Sequence, residues 1–168
     1  MSTPSGSCCS SGTERLASQL RSCGQGPTSC PACGAAGIAI EPRTLFHMIW
    51  PDQTGRLGDR EFRFCEAAGC DPVYFSIDGE MVFVKADLRQ RVGIKSTGDP
   101  LAPVCYCFGF TVGDLEVDVR ASRTPSTTER IRELVIGRLC ACEVRNPSGR
   151  CCLGEISRTV RRLKSEGG

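Results

Sequence analysis

Cys30-Pro31-Ala32-Cys33-Gly34 is answered, after an intervening loop, by Cys65-Glu66-Ala67-Ala68-Gly69-Cys70. The first stretch is a zinc knuckle, in which two intervening residues let both thiolates reach one ion. A four-thiolate set made of two separated pairs describes a closed, tetrahedral structural zinc site. Gly34 allows the left-handed backbone that turns N–H groups toward sulfur, and Gly69 is expected to permit a similar tight return. A redox-active Cys-x-x-Cys would sit in a βαβ context, which the surrounding residues do not suggest. His47, the only histidine, is either a substitute ligand or an ordinary partly buried side chain. A small β unit is expected to close around Cys30, Cys33, Cys65 and Cys70, with metal binding supplying folding energy that so small a core lacks.

The chain has 13 cysteines in 168 residues, so the knuckle accounts for only part of them. Cys8, Cys9 and Cys23 fall in a leader rich in Ser, Gly and Thr, expected to be largely disordered apart from a short helical pattern at Thr13 to Leu20. The rest group as Cys105/Cys107, Cys140/Cys142 and Cys151/Cys152. A disulfide scaffold would require export, yet residues Met1 to Gly12 show neither a basic start nor an apolar run. An odd cysteine count also suits such a scaffold badly. Metal ligation in a reducing, cytoplasmic setting is the expectation. No stretch has the apolar length of a membrane span. The net charge of +2 selects no partner. The basic run Arg158, Arg161, Arg162 and Lys164 reads as a solvated helix end rather than a nucleic-acid surface.

Hydrophobic spacing divides the chain. Gly37 to Ile40 and Glu61 to Phe64 are short strand-like runs. Val73 to Ile77, Asp78-Gly79, and Met81 to Val84 predict a hairpin with a type I′ turn. Thr44 to Trp50 fits a short helix or a strand equally. Ser96 to Pro103 reads as a linker. Beyond it the period becomes helical. Thr111-Val112-Gly113-Asp114 predicts a capping box leading to Leu115 and Val119. Thr127 or Thr128 with Glu129 predicts a second helix start, with Ile131, Leu134 and Val135 inward. Asn146 to Gly149 is a turn, and Gly154 to Lys164 a third helix with Ile156, Val160 and Leu163 inward. The expected class is α+β, with a disordered leader at 1–29, a zinc-ribbon-like β unit at 30–98 and a helical unit at 99–168.

Cys105-Tyr106-Cys107 is tight for a zinc knuckle but workable for two thiolates on one iron of a [2Fe-2S] cluster. Cys140, Cys142, Cys151 and Cys152 are then candidates for the second iron; a second four-thiolate zinc site is the alternative. Cys151 and Cys152 precede a predicted helix N-terminus, whose free N–H groups favour an anionic cluster.

Cys105 to Thr111 and Cys140 to Gly154 resemble the cluster half of the N-terminal domain of CopZ-type copper chaperones, which is itself similar to bacterioferritin-associated ferredoxin. Cys30 to Gly34, Cys65 to Asp71, Val73-Tyr74-Phe75 and Val92 to Lys95 resemble the zinc half. The resemblance implies a redox-active [2Fe-2S] cluster beside a structural zinc. It implies Cys105, Cys107, Cys142 and Cys152 as cluster ligands, with Cys140 and Cys151 as fallback. Gly109 and the helix near Gly154 are expected to offer N–H groups to the cluster. The family's copper-carrying Met-x-Cys-x-x-Cys motif is absent from these residues, and the one Cys-x-x-Cys is Cys30/Cys33.

The expected function is one-electron transfer in the handling of copper or another soft metal, such as reduction of Cu(II) to Cu(I). The expected partners are that metal, an electron donor and a separate metal chaperone or pump. A chaperone using spare thiols to hold a soft metal, and an iron–sulfur redox sensor, are the alternatives. No paired carboxylates, nucleophile–base set or phosphate loop suggests an enzyme.

Overall fold

The structure is a computed structural model and describes residues 28–122 and 126–166. The leader cysteines Cys8, Cys9 and Cys23 and the helical pattern at Thr13 to Leu20 lie outside the described residues.

Four short strands form one antiparallel sheet in sequence order: β1 Ile38–Ile40, β2 Phe62–Phe64, β3 Pro72–Ser76 and β4 Val82–Val84. The register pairs Ile38 with Phe64, Phe64 with Tyr74, and Tyr74 with Phe83. Side chains alternate across a strand. On β3, Tyr74 therefore joins Leu45, Phe64 and Phe83 on one face, while Phe75 joins Cys30, Cys65 and Cys70 on the other. Both faces of β3 are covered, and Val73 to Ser76 are all buried. Each such aromatic contributes about 1.5–3 kcal/mol of burial. Gly37 is required by this packing, since a Cβ there would meet Phe75 Cζ at 2.4 Å.

The β3–β4 connection differs from the expected type I′ turn. Ser76 N–H donates to Met81 O at 2.9 Å, leaving a four-residue loop in which Gly79 has φ 76°. Asp78 keeps an ordinary backbone, and its carboxylate holds the loop by accepting from Ser76 Oγ, Glu80 N–H and Arg60. The ambiguous Thr44 to Trp50 segment resolves as helix α1, Pro42–Met48, started by proline and buried through Thr44, Leu45 and Met48.

The second half begins with a two-stranded ribbon, β5 Pro103–Cys105 and β6 Phe110–Thr111. Helices α2 Val112–Ala121, α3 Thr127–Ile136, α4 Cys142–Arg145 and α5 Leu153–Glu166 follow. The capping box at Thr111 and Asp114 is present, with Thr111 N–H donating to Asp114 at 2.8 Å. The α3 cap is Ser126, one residue before the expected threonines, in a reciprocal box with Glu129. Leu115, Ile131, Ile156 and Leu163 form the core with Val104, Cys105, Cys142 and Cys152. In the basic run, Arg158 pairs with Glu155 and Arg162 with Glu166.

The Ser96 to Pro103 linker is ordered. Ala102 is fully buried, its carbonyl accepts from Val112 N–H, and Asp99 pairs with Arg91. Three hydrogen bonds stitch the sheet half to the loop around α4. Thr44 Oγ1 donates to Glu143 O at 2.5 Å, Tyr74 OH to Pro147 O at 2.7 Å and Gln90 Nε2 to Arg145 O at 2.9 Å. No described helix is long and apolar enough to cross a membrane.

Candidate metal centres

Cys30 and Cys33 flank a tight turn ahead of β1, closed by Gly34 N–H on Cys30 O at 2.8 Å, with Gly34 at φ 72°. Cys65 directly follows β2, and Cys70 follows a turn closed by its own N–H on Ala67 O at 3.1 Å. Gly69 is not in the left-handed region and a Cβ there would meet nothing, so the expected glycine requirement is absent at that position. The sheet register brings the two loops together. Sγ of Cys30 lies 3.7 Å from that of Cys70, and Cys33 lies 3.7 Å from Cys65. All four sulfurs are within 4.8 Å of one another. A tetrahedral ion with metal–sulfur bonds of about 2.3 Å needs sulfurs about 3.8 Å apart, so the four thiols fit zinc. His47 is exposed on α1 and outside this group.

Electrostatics divide these thiols. Burial alone would push Cys30 up, but backbone N–H groups of Ala32 and Cys33, with neighbouring thiols, bring it down to about 7. Burial pushes Cys65 up, and burial with the thiols around it pushes Cys70 up to about 12. Metal entry must therefore displace protons.

The second set is arranged differently. Cys152 donates to Cys105 at 3.5 Å, and Cys107 lies 3.8 Å from Cys142. The close pairs thus join each member of Cys105/Cys107 to a residue from the helical region, rather than to each other. The reason is local: Cys105 ends β5 fully buried, while Cys107 sits half-buried in the turn beyond it. Among the described residues, only the Cys30 group has three or more ligating atoms mutually within 4.8 Å. The second set is therefore two separated sulfur pairs, not a one-ion cage. Cys140 is half-buried and Cys151 exposed, and neither joins a close sulfur pair.

Backbone N–H groups serve these sulfurs, but not the one expected from Gly109. Gly109 N–H is spent on Cys105 O at 2.9 Å. Ala141 N–H instead reaches Cys107 Sγ at 3.3 Å. The Cys152 thiol is the main cause that brings Cys105 down to about 6, helped by the N–H groups of Phe108 and Cys107. Acting as that donor is also what drives Cys152 strongly upward, with burial adding to it. Cys142 is pushed up to about 12, first by burial and then by the neighbouring Cys107.

Three residues outside the cysteine pattern shape the space between the sites. Tyr106, between Cys105 and Cys107, accepts Gly93 N–H on its hydroxyl at 2.7 Å. Gly93 lies so close to the ribbon that a Cβ would sit 1.9 Å from Pro103 O. Lys95 is buried, with Nζ donating to Ala67 O at 2.9 Å and Cys70 O at 3.1 Å. All three fall in stretches that carry the family resemblance, Val92 to Lys95 and Cys105 to Thr111, but none of them has a role legible in sequence.

Residues 27–89 match the CopZ-type family described as "Zinc binding domain". The chain is 33% identical over 133 residues to the copper chaperone CopZ of Archaeoglobus fulgidus, spanning 77% of this chain and 60% of that protein. It therefore spans less than two thirds of the curated relative's length. The X-ray structure of the Archaeoglobus fulgidus CopZ N-terminal domain superposes with a TM-score of 0.65 at 31% identity, covering 77% of this chain and 95% of that one.

Proposed function

The chain belongs to the CopZ family, with a zinc-binding domain followed by a second cysteine set, and from that membership we propose that it handles copper or another soft metal by one-electron transfer. In this reading Cys30, Cys33, Cys65 and Cys70 hold structural zinc, and Cys105, Cys107, Cys142 and Cys152 hold a [2Fe-2S] cluster in a bacterioferritin-associated-ferredoxin-like unit. The observation that carries it is the pairing of Cys105 with Cys152 at 3.5 Å and Cys107 with Cys142 at 3.8 Å, without convergence on one ion. Two separated thiol pairs suit two metals, each taking one pair. When bound, such a cluster supplies reversible one-electron chemistry.

The chain's own residues favour that chemistry. Cys105 and Cys152 are buried, which excludes water, while Cys107 is partly exposed and gives electrons a route in and out. Ala141 N–H on Cys107, and the N–H groups of Cys107 and Phe108 on Cys105, offset the negative charge that disfavours an added electron. The partners are then an electron donor, the soft metal ion, and a separate chaperone or pump in a cytoplasmic setting.

Anaerobic purification with Fe, sulfide and Zn analysis tests the cofactors: about two irons, two sulfides and one zinc per chain are expected. A colourless protein with two zincs and no sulfide overturns the cluster. Reduced, desalted protein mixed with Cu(II) and a Cu(I)-specific chromophore tests the function, with about one Cu(I) per cluster expected.

A second reading rests on the partly exposed thiols Cys140 and Cys151 beside the ligands Cys142 and Cys152. Those thiols would hold a soft ion directly. Copper reduction that is equal in cluster-free protein favours this thiol reading.

A further inference from the structure

Lys95 closes the short 3₁₀ turn Gly93–Lys95 and is only 5% exposed. A lysine so deeply buried is almost always paired with an opposite charge. Among the described residues it has no carboxylate partner in any ion pair. Its ammonium meets two neutral acceptors, the carbonyls of Ala67 and Cys70, at 2.9 and 3.1 Å. Both belong to the loop that carries Cys65 and Cys70 to the zinc site. Carbonyl dipoles alone compensate a buried cation poorly. Four thiolates around a divalent ion, by contrast, carry a net charge of about −2.

We infer that Lys95 is the counter-charge of the zinc site: a positioning residue that fixes the Ala67–Cys70 loop and neutralises part of the four-thiolate charge. It ligates nothing itself. Its cationic head does from outside the coordination sphere what neutral hydrogen-bond donors do at other metal sites, holding the ligand loop and easing the accumulation of negative charge. The lysine field favours the thiolate form of Cys65, although burial dominates and keeps that thiol above its usual range. The dependence is mutual. Zinc draws in four thiolates that the lysine stabilises, and the loaded site gives the buried lysine a negative partner. The inference concerns zinc alone and stands apart from the iron–sulfur reading.

Two substitutions in the full chain separate charge from hydrogen bonding. Lys95→Gln keeps a donor for the carbonyls and removes the charge, whereas Lys95→Met removes both. Zinc release from the loaded protein to a chromogenic chelator is the deciding measurement. Both variants are expected to release zinc about tenfold faster than the parent, the lower end of what outer-sphere partners contribute. Thermal unfolding supplies a signature that a merely structural lysine would not give. Lys95→Met should melt lower than the parent when loaded with zinc, but no lower when both are metal-free, because the buried charge then has no partner to lose. Release from both variants within about twofold of the parent overturns the assignment. So does release from Lys95→Gln at the parental rate with fast release from Lys95→Met, since hydrogen bonding alone would then suffice.

Discussion

Cys105 and Cys152, 47 residues apart in sequence, stand 3.5 Å apart sulfur to sulfur, and the thiol of Cys152 donates to Cys105. The contact joins the end of β5 to the residue just ahead of α5, so the second cysteine set exists only once ribbon and helices have packed. Cys107 and Cys142, 3.8 Å apart, form a second such pair between the β5–β6 turn and α4.

That pairing makes the ligand prediction specific. Cys142→Ser and Cys152→Ser should each lose most of the iron while retaining zinc, and Cys105→Ser and Cys107→Ser should match them. Cys140→Ser and Cys151→Ser should keep normal iron and sulfide, because neither belongs to a close pair. Metal analysis with visible spectra checks this, and iron loss from Cys140→Ser with retention in Cys142→Ser would reassign the ligands.

Cys30→Ser should do the reverse. It removes one corner of the zinc tetrahedron at a sulfur 3.7 Å from Cys70. Zinc should be lost and stability should fall by on the order of 3–5 kcal/mol, since structural zinc binding is folding energy. Chemical unfolding with zinc analysis checks it; unchanged zinc and stability would refute the knuckle.

Zinc binding should release protons in a pH-dependent number. At pH 8, Cys30, with its value near 7, is already mostly thiolate, whereas Cys65 is raised and Cys70 sits near 12. Cys65 and Cys70 must then each give up a proton. As pH falls through about 7, Cys30 regains its proton and adds to the release, so zinc affinity drops more steeply on the acid side. Calorimetry in buffers of different ionisation enthalpy measures the count. A release that grows as pH rises would contradict the sign.

Gly93→Ala should weaken the whole molecule. The added Cβ would lie 1.9 Å from a backbone oxygen, which no side-chain rotation relieves. Overpacking of this kind costs about 1–3 kcal/mol or more. Because Gly93 N–H also holds Tyr106 between Cys105 and Cys107, iron content should fall with stability. A variant with parental stability and iron would show that the ribbon shifts freely.

Tyr74→Phe tests the junction of the two halves. Its hydroxyl donates to Pro147 O at 2.7 Å from a fully buried position. Removing it leaves a buried carbonyl unpaired, at about 1–3 kcal/mol. Urea unfolding should report that loss without a change in zinc content.

The sequence by itself determined the two thiol pairs Cys30/Cys33 and Cys65/Cys70, because their local spacing works within one loop at a time. It also determined the strands at Ile38, Phe62, Val73 and Val82, and the capping box at Thr111, each of which depends on near neighbours. Tertiary structure decided what depends on distant ones. The Thr44 to Trp50 segment became a helix because Leu45 and Met48 had a sheet to pack on. The cap of α3 fell on Ser126, which the pattern of threonines concealed. Spacing suggested that Cys105 and Cys107 share a metal, while packing sets each beside a helical-region cysteine, with Cys105 fully buried and Cys107 half-buried. In sequence, Lys95 is simply the end of the Val92 to Lys95 stretch that resembles the zinc half, with no role of its own. Only the fold buries it against the carbonyls of Ala67 and Cys70, because burial depends on which elements meet, and no local pattern encodes that meeting.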